Sequence, residues 1–175
     1  GLPRRNRSHP VDAVMAALEM VNYVIERDAQ AKGSRWAVRI GLHTGAVVAG
    51  VVGIQKFAFD IWGENVNFAS RMESSGAPNR INVSSACYAR VKDFFDCEHR
   101  GKVLTKERKE ADMYFINGLH PSLVDDSGLV PPPAFERRYR TYFEHEPSSF
   151  PTFLVAPGDP ASKALVPGPS GRVVQ

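Results

Sequence analysis

Apolar residues at the start of the chain follow first a helical and then an extended period. They recur every three or four positions from Val11 to Ile25, which predicts a core-facing helix that ends near Gly33. A strand is predicted next over 36–42, and a tight turn leads from it into a returning strand over 46–53. The chain therefore opens with one amphipathic helix and two strands joined by a turn.

The period changes twice in the stretch that follows. A short apolar strand over 57–62 is predicted to be largely buried around its single carboxylate, Asp60. Gly63 interrupts the strand, and a helix is predicted over 65–75. This helix carries a polar stripe at i, i+3, i+4 and i+7: Asn67, Ser70, Arg71 and Ser74. Another face of the helix is apolar and is predicted to pack inward.

Further strands and helices alternate after this polar helix. A strand is predicted over 81–83, a helix capped by Ser84 runs through Val91, and another strand follows Phe95. A last short strand is predicted over 114–116. Strands interleaved with helices, some joined as hairpins, indicate an α+β fold with helices on a mixed or antiparallel sheet.

Proline-rich sequence sets the end of the chain apart. Ten of the thirteen prolines lie beyond His120, among Gly, Ser and Asp, which predicts a mostly irregular tail. The exception is one short docking helix, predicted over 134–146 where aromatic residues recur. We therefore predict a first domain over 1–119 and a tail over 120–175.

Composition argues against several classes of protein. The 175 residues carry a net charge of +3 without a dense Lys/Arg run, so nucleic-acid binding is not expected. No apolar run approaches the ~18 residues of a membrane span, so we expect a soluble, cytoplasmic chain, whatever anchor a longer parent protein carries. The two cysteines, Cys87 and Cys97, show neither a disulfide framework nor metal-ligand spacing and are expected to stay reduced.

The residue types of the polar stripe suit a ligand with sugar and phosphate oxygens. Asn67 can hydrogen-bond oxygens in either sense, and Arg71 presents a planar fork to phosphate. Asp60 can accept a hydrogen bond from an exocyclic amine of a base. A plainer interpretation stays open, in which Asp60 caps the following helix and Arg71 pairs with a nearby carboxylate. His43, alone beside a turn, is interpreted as a hydrogen-bonded structural residue rather than as part of the site.

Several motifs in a fixed order resemble the class III adenylate/guanylate cyclase catalytic domain. The central one is Asp60-Ile61-Trp62-Gly63 followed by Val66-Asn67-x-Ala69-Ser70-Arg71-Met72. The other motifs are Val38–Gly45, Val48–Gly53, Ile81–Ser84 and, more loosely, the stretch from Arg100 to Phe115. The resemblance covers residues 1–119 and implies a partial ferredoxin-like cyclase core.

The resemblance implies a reaction and a role for individual residues. Class III cyclases convert a nucleoside triphosphate into the 3′,5′-cyclic monophosphate and pyrophosphate. Asp60 matches the position that reads the base and favours ATP, because guanylate-specific members typically carry Cys there. Asn67 matches the residue that orients the ribose, and Arg71 the residue that stabilises charge on the phosphates. Arg108 falls at the position of a phosphate-binding Lys, with Lys106 as the second candidate, although both glycines of that family motif are missing.

The resemblance also implies metal ions and a partner. In the family, two Asp residues hold two divalent ions, Mg²⁺ or Mn²⁺, and each site forms between two cyclase domains. These Asp residues belong to the first half of the domain, and no motif over 1–119 matches them. We therefore expect a chain that lacks the N-terminal part of its domain and has no metal ligands of its own. We expect it to bind ATP, to pair with another cyclase domain as a homodimer or heterodimer, and to be inactive alone.

Three functions remain open at this point. The first is the catalytic domain of an adenylate cyclase from a signalling protein. The second is a non-catalytic cyclase-homology module that dimerises with a complete partner and regulates it. The third is a guanylate cyclase, which Asp60 disfavours. Because a purely structural module has no need of Asp60, Asn67 and Arg71 in matching positions, the first function is favoured.

Overall fold

The computed structural model describes residues 6–30, 36–104, 110–124 and 132–144. The elements in these ranges are α1 (His9–Gln30), β1 (Arg39–Leu42), β2 (Val48–Val52), β3 (Ala58–Trp62), α2 (Glu64–Ser74), β4 (Arg80–Ser84), α3 (Ser85–Val91), β5 (Phe95–Leu104), β6 (Glu110–Leu119), a 3₁₀ turn (Pro121–Leu123) and α4 (Pro132–Phe143). No helix within them combines the length and the apolar content of a segment that crosses a bilayer.

Four of the strands form one mixed sheet in the order β1-β4-β6-β5. β1 runs parallel to β4, with Ile40 opposite Ile81, whereas β4 with β6 and β6 with β5 pair antiparallel. A parallel pair requires a crossover connection, and here that connection contains β2, β3 and α2. The predicted α+β arrangement of helices on a mixed sheet is therefore confirmed.

The main core lies between the sheet and the helices α1 and α3. α1 contributes the apolar stripe that the sequence predicts: Val11, Val14, Met15, Leu18 and Val21, all buried. The sheet contributes Ile81, Val83 and Ile116, and α3 adds Cys87 and Val91. Each large aliphatic side chain removed from water in this way stabilises the fold by ~1.5–3 kcal/mol.

The elements after α2 follow the prediction, except that one strand is longer. Ser84 caps α3, since its Oγ accepts a hydrogen bond from the Cys87 amide at 3.3 Å. β5 begins at Phe95, as predicted. β6 spans ten residues rather than the three predicted over 114–116. The outer end of the β5–β6 hairpin is exposed, so it carries charged residues and no apolar period that would reveal a strand.

The pairing of β2 differs from the sequence prediction. β2 does not return along β1 but pairs antiparallel with β3, with Gly50 opposite Asp60, in a separate two-stranded sheet. The prediction that 57–62 is largely buried is wrong, because β3 is exposed along its length. Phe57 is 73% exposed and Phe59 is 62% exposed. An isolated pair of strands has no second layer over its faces, which leaves its apolar side chains in contact with solvent.

A helix near the end of the described chain completes the core. α4 buries Phe135 and Tyr139, and the ring of Phe135 lies with its centroid 5.8 Å from that of Phe94 in an edge-on contact. Aromatic pairs at this distance and angle contribute beyond the area that they bury. The predicted docking helix over 134–146 is thus confirmed, with the bounds of α4.

Both cysteines are free thiols held in poorly solvated positions. Burial raises the pKa of Cys87 and of Cys97 to about 12, with Asp96 adding to the effect at Cys97. Both thiols are therefore protonated at neutral pH, the state in which a thiol is a poor nucleophile.

One hydrogen bond ties α4 to α1. The Tyr139 hydroxyl donates to Asp12 Oδ1 at 2.6 Å. Burial, reinforced by this hydrogen bond, raises the pKa of Tyr139 from the usual 10 to about 12. A tyrosine whose pKa is higher in the folded protein stabilises the fold fully below the unfolded pKa of 10, and this contribution is lost as the pH rises through 12.

We predict that Tyr139→Phe lowers the free energy of unfolding at pH 7 by about 1.5–3 kcal/mol, because the lost hydrogen bond ends on a carboxylate. The difference between the two proteins should shrink as the pH rises from 10 to 12. Urea unfolding followed by circular dichroism measures both effects. Tyr23→Phe, on an exposed position of α1, is the matched control and should change nothing. Equal stability of Tyr139→Phe and the parent protein at pH 7 would contradict the prediction.

Candidate active site

The helix that carries the polar stripe begins directly after Gly63. α2 spans Glu64–Ser74, close to the predicted 65–75. Gly63 is the N-cap residue and has a φ of 131°, a conformation that suits glycine because it has no Cβ. No side chain caps the helix, so the plainer interpretation of Asp60 as its cap is wrong.

α2 lies directly on the backbone of β1 at Gly41. A Cβ atom added to Gly41 would lie 2.0 Å from the amide nitrogen of Glu73 and 2.5 Å from the carbonyl carbon of Met72. Only glycine permits this approach of a helix to a strand. Met72 is completely buried, as predicted for the inward face of the helix.

A buried amide holds the C-terminal end of α2. Asn82 on β4 is fully buried, and its Nδ2 donates to the Met72 carbonyl oxygen at 2.8 Å. This carbonyl belongs to the last four of the helix, which lack a complete set of intrahelical donors. The sequence pattern places Asn82 in a strand but gives no sign of this contact, because the fold alone brings the two residues together.

A histidine holds the N-terminal end of α2. His43 Nε2 lies 2.9 Å from Asn65 Oδ1 in the first turn of the helix, and His43 Nδ1 lies 2.7 Å from Ser84 Oγ. The interpretation of His43 as a hydrogen-bonded structural residue is therefore confirmed. Asn65 itself is not distinguished by the sequence pattern, which marks it only as a polar residue at a helix start.

With both ends of α2 fixed, its polar stripe faces away from the sheet. Asn67, Ser70 and Ser74 are exposed, and Arg71 is partly buried. Within the described residues the Asn67 side chain has no hydrogen-bond partner, so both halves of its amide can bind a ligand. Ser74 Oγ donates to the Arg71 carbonyl of its own helix at 3.3 Å.

Arg71 reaches from α2 to the end of β5. Its Nη1 donates to the Leu104 carbonyl at 2.9 Å. Among the described side chains it forms no ion pair with a carboxylate, which argues against the plainer interpretation of this arginine. The segment that follows Leu104 contains Lys106 and Arg108, and both lie outside the described residues. Their predicted contacts with phosphate therefore stay predictions.

Asp60 lies on the exposed hairpin rather than on α2. It is the central residue of β3, and its Oδ1 accepts a hydrogen bond from the Ile61 amide at 2.8 Å. Asn67 and Arg71 thus share one helix face, whereas Asp60 lies on the element before it. The two elements are joined by Gly63, and Trp62 is the last residue of β3.

The described residues do not fit a pair of metal ions. In the ranges that the structure describes, no three or more His, Cys, Asp or Glu side chains are grouped so that they could hold a metal. Mg²⁺ and Mn²⁺ require several oxygen ligands around one point. The ions that the cyclase resemblance implies therefore find no ligand set in this part of the chain.

Two groups of curated proteins are similar to this chain. The model for the adenylate and guanylate cyclase catalytic domain matches residues 1–118. An adenylate cyclase of Mycobacterium tuberculosis is 38% identical over 118 residues, which cover 67% of this chain and 26% of that protein. Human guanylyl cyclase C is 36% identical over 149 residues, which cover 82% of this chain and 14% of that protein. The chain thus spans about a quarter of the bacterial relative and less of the human one, and the relatives include both kinds of cyclase.

A solved cyclase structure shares the fold. The guanylate cyclase domain of RhGC from Catenaria anguillulae, in complex with GTP, is 30% identical with a TM-score of 0.61. The match covers 69% of this chain and 65% of that chain. The predicted partial cyclase core is therefore confirmed. The match to human guanylyl cyclase C covers 82% of this chain. A match of that length must include part of α4, which lies beyond the residues that the family model covers.

We predict that Gly41→Ala destabilises the fold by about 3 kcal/mol or more, because the new methyl group meets helix backbone, which cannot rotate away. Thermal unfolding followed by circular dichroism measures the effect. Gly50→Ala is the matched control: its Cβ would meet the Trp62 ring at 3.5 Å, an ordinary contact. This control should change stability by less than about 1 kcal/mol. Equal melting temperatures for the two variants would show that α2 is not seated at Gly41.

Proposed function

We propose that this chain, which belongs to the adenylate and guanylate cyclase catalytic domain family, forms part of an adenylate cyclase active site. Such a site converts ATP into 3′,5′-cyclic AMP and pyrophosphate. The observation that carries the proposal is the polar stripe of α2, where Asn67 and Arg71 lie four residues apart on one outward face. An amide and a guanidinium at this spacing suit a ribose and a phosphate that are neighbours in one nucleotide.

Arg71 serves the phosphates of ATP. In the reaction the ribose 3′-oxygen bonds to the α-phosphorus and loses its proton, and the bond from this phosphorus to the oxygen bridging the β-phosphate breaks. Negative charge builds on the α-phosphate and on the leaving pyrophosphate. The Arg71 guanidinium gives one donor to the Leu104 carbonyl and has others left for phosphate oxygens. We propose that Arg108, or Lys106 as the second candidate, binds the terminal phosphates.

Asn67 serves the ribose. The attack requires the 3′-oxygen, the α-phosphorus and the leaving oxygen to lie in line. An exposed amide with no partner in the described residues can donate to one sugar oxygen and accept from another, which fixes the sugar in this alignment. A misplaced ribose would cost on the order of 100-fold in rate.

Asp60 favours adenine over guanine. A carboxylate accepts a hydrogen bond from the 6-amino group of adenine, whereas guanine presents a carbonyl oxygen at that position, and two acceptors repel. One Asp60 oxygen is bound by the Ile61 amide, and the other remains for the base. The relatives include adenylate and guanylate cyclases, so the proposal that this chain prefers ATP rests on this side chain.

The site is proposed to form between two cyclase domains, in a homodimer or a heterodimer. The β2–β3 hairpin exposes a set of large apolar side chains: Val48, Val51, Ile54, Phe57 and Phe59. By the strand register Val48 lies on the same face as Asp60, whereas Val51 and Phe59 lie on the other face. Large apolar side chains left exposed on one element in this way indicate an interaction site. Because Asp60 lies in the middle of β3, a second domain docked on the hairpin would bring the base-reading carboxylate into the interface.

Divalent ions such as Mg²⁺ or Mn²⁺ would activate the 3′-hydroxyl and neutralise the phosphates in such a site. The described residues lack a ligand set for them. We propose that a complete partner cyclase domain supplies this set, so that this chain is inactive alone or paired with a second copy of itself.

A second candidate function is a non-catalytic module that pairs with a complete cyclase domain and regulates it. The exposed apolar hairpin and the lack of a metal ligand set in the described residues favour it. A module of this kind has no use for the side chains of Asn67 and Arg71, so the two functions differ in how they respond to changes there. Guanylate cyclase activity is the third candidate.

A mixing experiment separates catalysis from regulation. The chain is mixed with a complete cyclase domain in which the counterpart of Arg71 is replaced by Ala, and cyclic AMP formed from Mn-ATP is measured. We predict activity only in the mixture, because this chain contributes Asn67 and Arg71 to a site whose metal ligands are the partner's. Arg71→Ala in this chain should lower that activity on the order of 100-fold or more.

The matched control for this experiment is Arg90→Ala, an exposed arginine on α3 away from the stripe, which should leave the activity unchanged. Activity that survives Arg71→Ala, or an associated pair of proteins that forms no cyclic AMP, would favour the regulatory module.

The base preference is tested with Asp60→Cys in the same mixture. We predict that this change shifts the ratio of kcat/KM for ATP over that for GTP toward GTP by at least ~10-fold, because it removes an acceptor that repels guanine. Asp96→Cys, an exposed carboxylate at the start of β5, is the control and should keep the ratio. An unchanged ratio in Asp60→Cys would overturn the assignment of Asp60 to the base.

A further inference from the structure

A continuous network of hydrogen bonds links α3 to α2 through His43, the residue that directly follows β1. The Cys87 amide donates to Ser84 Oγ at 3.3 Å, and Ser84 Oγ lies 2.7 Å from His43 Nδ1. His43 Nε2 lies 2.9 Å from Asn65 Oδ1, and Asn65 Nδ2 donates to the Ala46 carbonyl at 2.6 Å. The cyclase chemistry proposed above assigns no role to these hydrogen bonds, although Asn65 lies only two residues before Asn67.

The hydrogen bond to the Ala46 carbonyl fixes the direction of the one between His43 and Asn65. Because Asn65 Nδ2 donates to the Ala46 carbonyl, the group that faces His43 is the amide oxygen, which can only accept. His43 Nε2 therefore carries a hydrogen, and in the tautomer with its single ring proton at Nε2 the Nδ1 atom accepts from the Ser84 hydroxyl. Ser84 keeps a lone pair for the Cys87 amide. With these directions every member of the network has a hydrogen-bond partner.

Packing around this hydrogen-bond network restricts the side chains of His43 and Asn65. Ser84 is only 1% exposed. The His43 ring has its centroid 4.6 Å from that of Phe68 on α2. A Cβ atom added to Gly45 would lie 2.4 Å from Asn65 Cγ, so the backbone after β1 closes directly over the Asn65 side chain. The Asn65 side chain is therefore fixed by His43 at the end of β1 and by the loop that follows. Through this side chain the first turn of α2 is held in place.

We propose that His43 is a positioning residue for the cyclase reaction: its Nε2 hydrogen holds Asn65, which fixes the first turn of α2 and so the direction from which Asn67 meets the ribose. The inference rests on the proposed function, because it deepens the role given to Asn67. His43 acts through Asn65 and is not assigned a contact with the substrate. A ribose held in a slightly wrong direction lowers the rate of the chemical step more than it lowers binding.

Two substitutions of His43 separate its two hydrogen bonds. The amide nitrogen of Gln can take the place of Nε2 and keep the donor to Asn65, whereas the shorter Asn can reach only the Ser84 side. In the activity mixture, His43→Asn should lower kcat at least ~10-fold with little change in KM for ATP, while His43→Gln should stay within about 3-fold of the parent kcat. His99→Gln, an exposed histidine of β5, is the control and should leave kcat unchanged.

Hydrogen exchange tests the same claim without any activity. His43→Asn should speed exchange of the α2 backbone amides at 67–69 at least ~10-fold, whereas His43→Gln and His99→Gln should not. Asn65→Ala breaks the link from the helix side and should reproduce the His43→Asn result. The double variant should be no worse than either single one, because both remove one interaction.

Equal losses of kcat for His43→Asn and His43→Gln would overturn the proposal, and so would additive losses in the double variant or unchanged exchange at 67–69. If His43→Asn does not fold, Asn65→Ala takes its place in each comparison. A parent mixture that forms no cyclic AMP would overturn the proposed function, while the exchange data would still decide whether His43 fixes the first turn of α2.

Discussion

The contact on which the candidate site depends is the seat of α2 on the backbone of β1 at Gly41. A helix of 11 residues is too short to be stable alone in water, so its orientation comes from what it touches. Gly41 sets its distance from the sheet, Asn82 binds its last turn, and the His43–Asn65 pair binds its first turn. These three contacts leave one face outward, and that face carries the amide and the guanidinium proposed to bind ATP.

Two exposed surfaces of opposite character meet at Gly63. The β2–β3 hairpin presents apolar side chains to solvent, and α2 presents a polar stripe with unused hydrogen-bonding groups. In an isolated chain both surfaces lack a binding partner. Covering the apolar side chains and hydrogen-bonding the Asn67 amide to a ligand would each lower the free energy. In a composite nucleotide site between two cyclase domains, the second domain would cover the hairpin and the nucleotide would bind the polar stripe. Family membership supports this class of reaction, while Asp60 alone argues for adenine.

Local structure could be predicted from sequence to the extent that it depends on neighbours in the chain. The stripe of Asn67 and Arg71, the Ser84 cap and the amphipathic α1 all follow from periodicity and capping chemistry. The partner of β2 could not be predicted, because β1 and β3 lie equally near to it along the chain and a local apolar period does not decide between them. The apolar period of 57–62 has the same form whether a core or a partner covers it, which is why burial was wrongly expected. The hydrogen bonds that support α2 join residues 10 and 22 positions apart, and no local pattern reports such contacts.

The most direct measurement is the structure of this chain bound to a complete cyclase domain and to an ATP analogue that lacks the 3′-hydroxyl. We predict that the analogue lies across the outward face of α2, with Asn67 within hydrogen-bond distance of the ribose and Arg71 at the α-phosphate. Asp60 should accept from the adenine 6-amino group, and the β2–β3 hairpin should be covered by the partner. An analogue bound away from α2, in a complex whose hairpin remains exposed, would contradict the central claim that this chain contributes the nucleotide-binding side of a composite site.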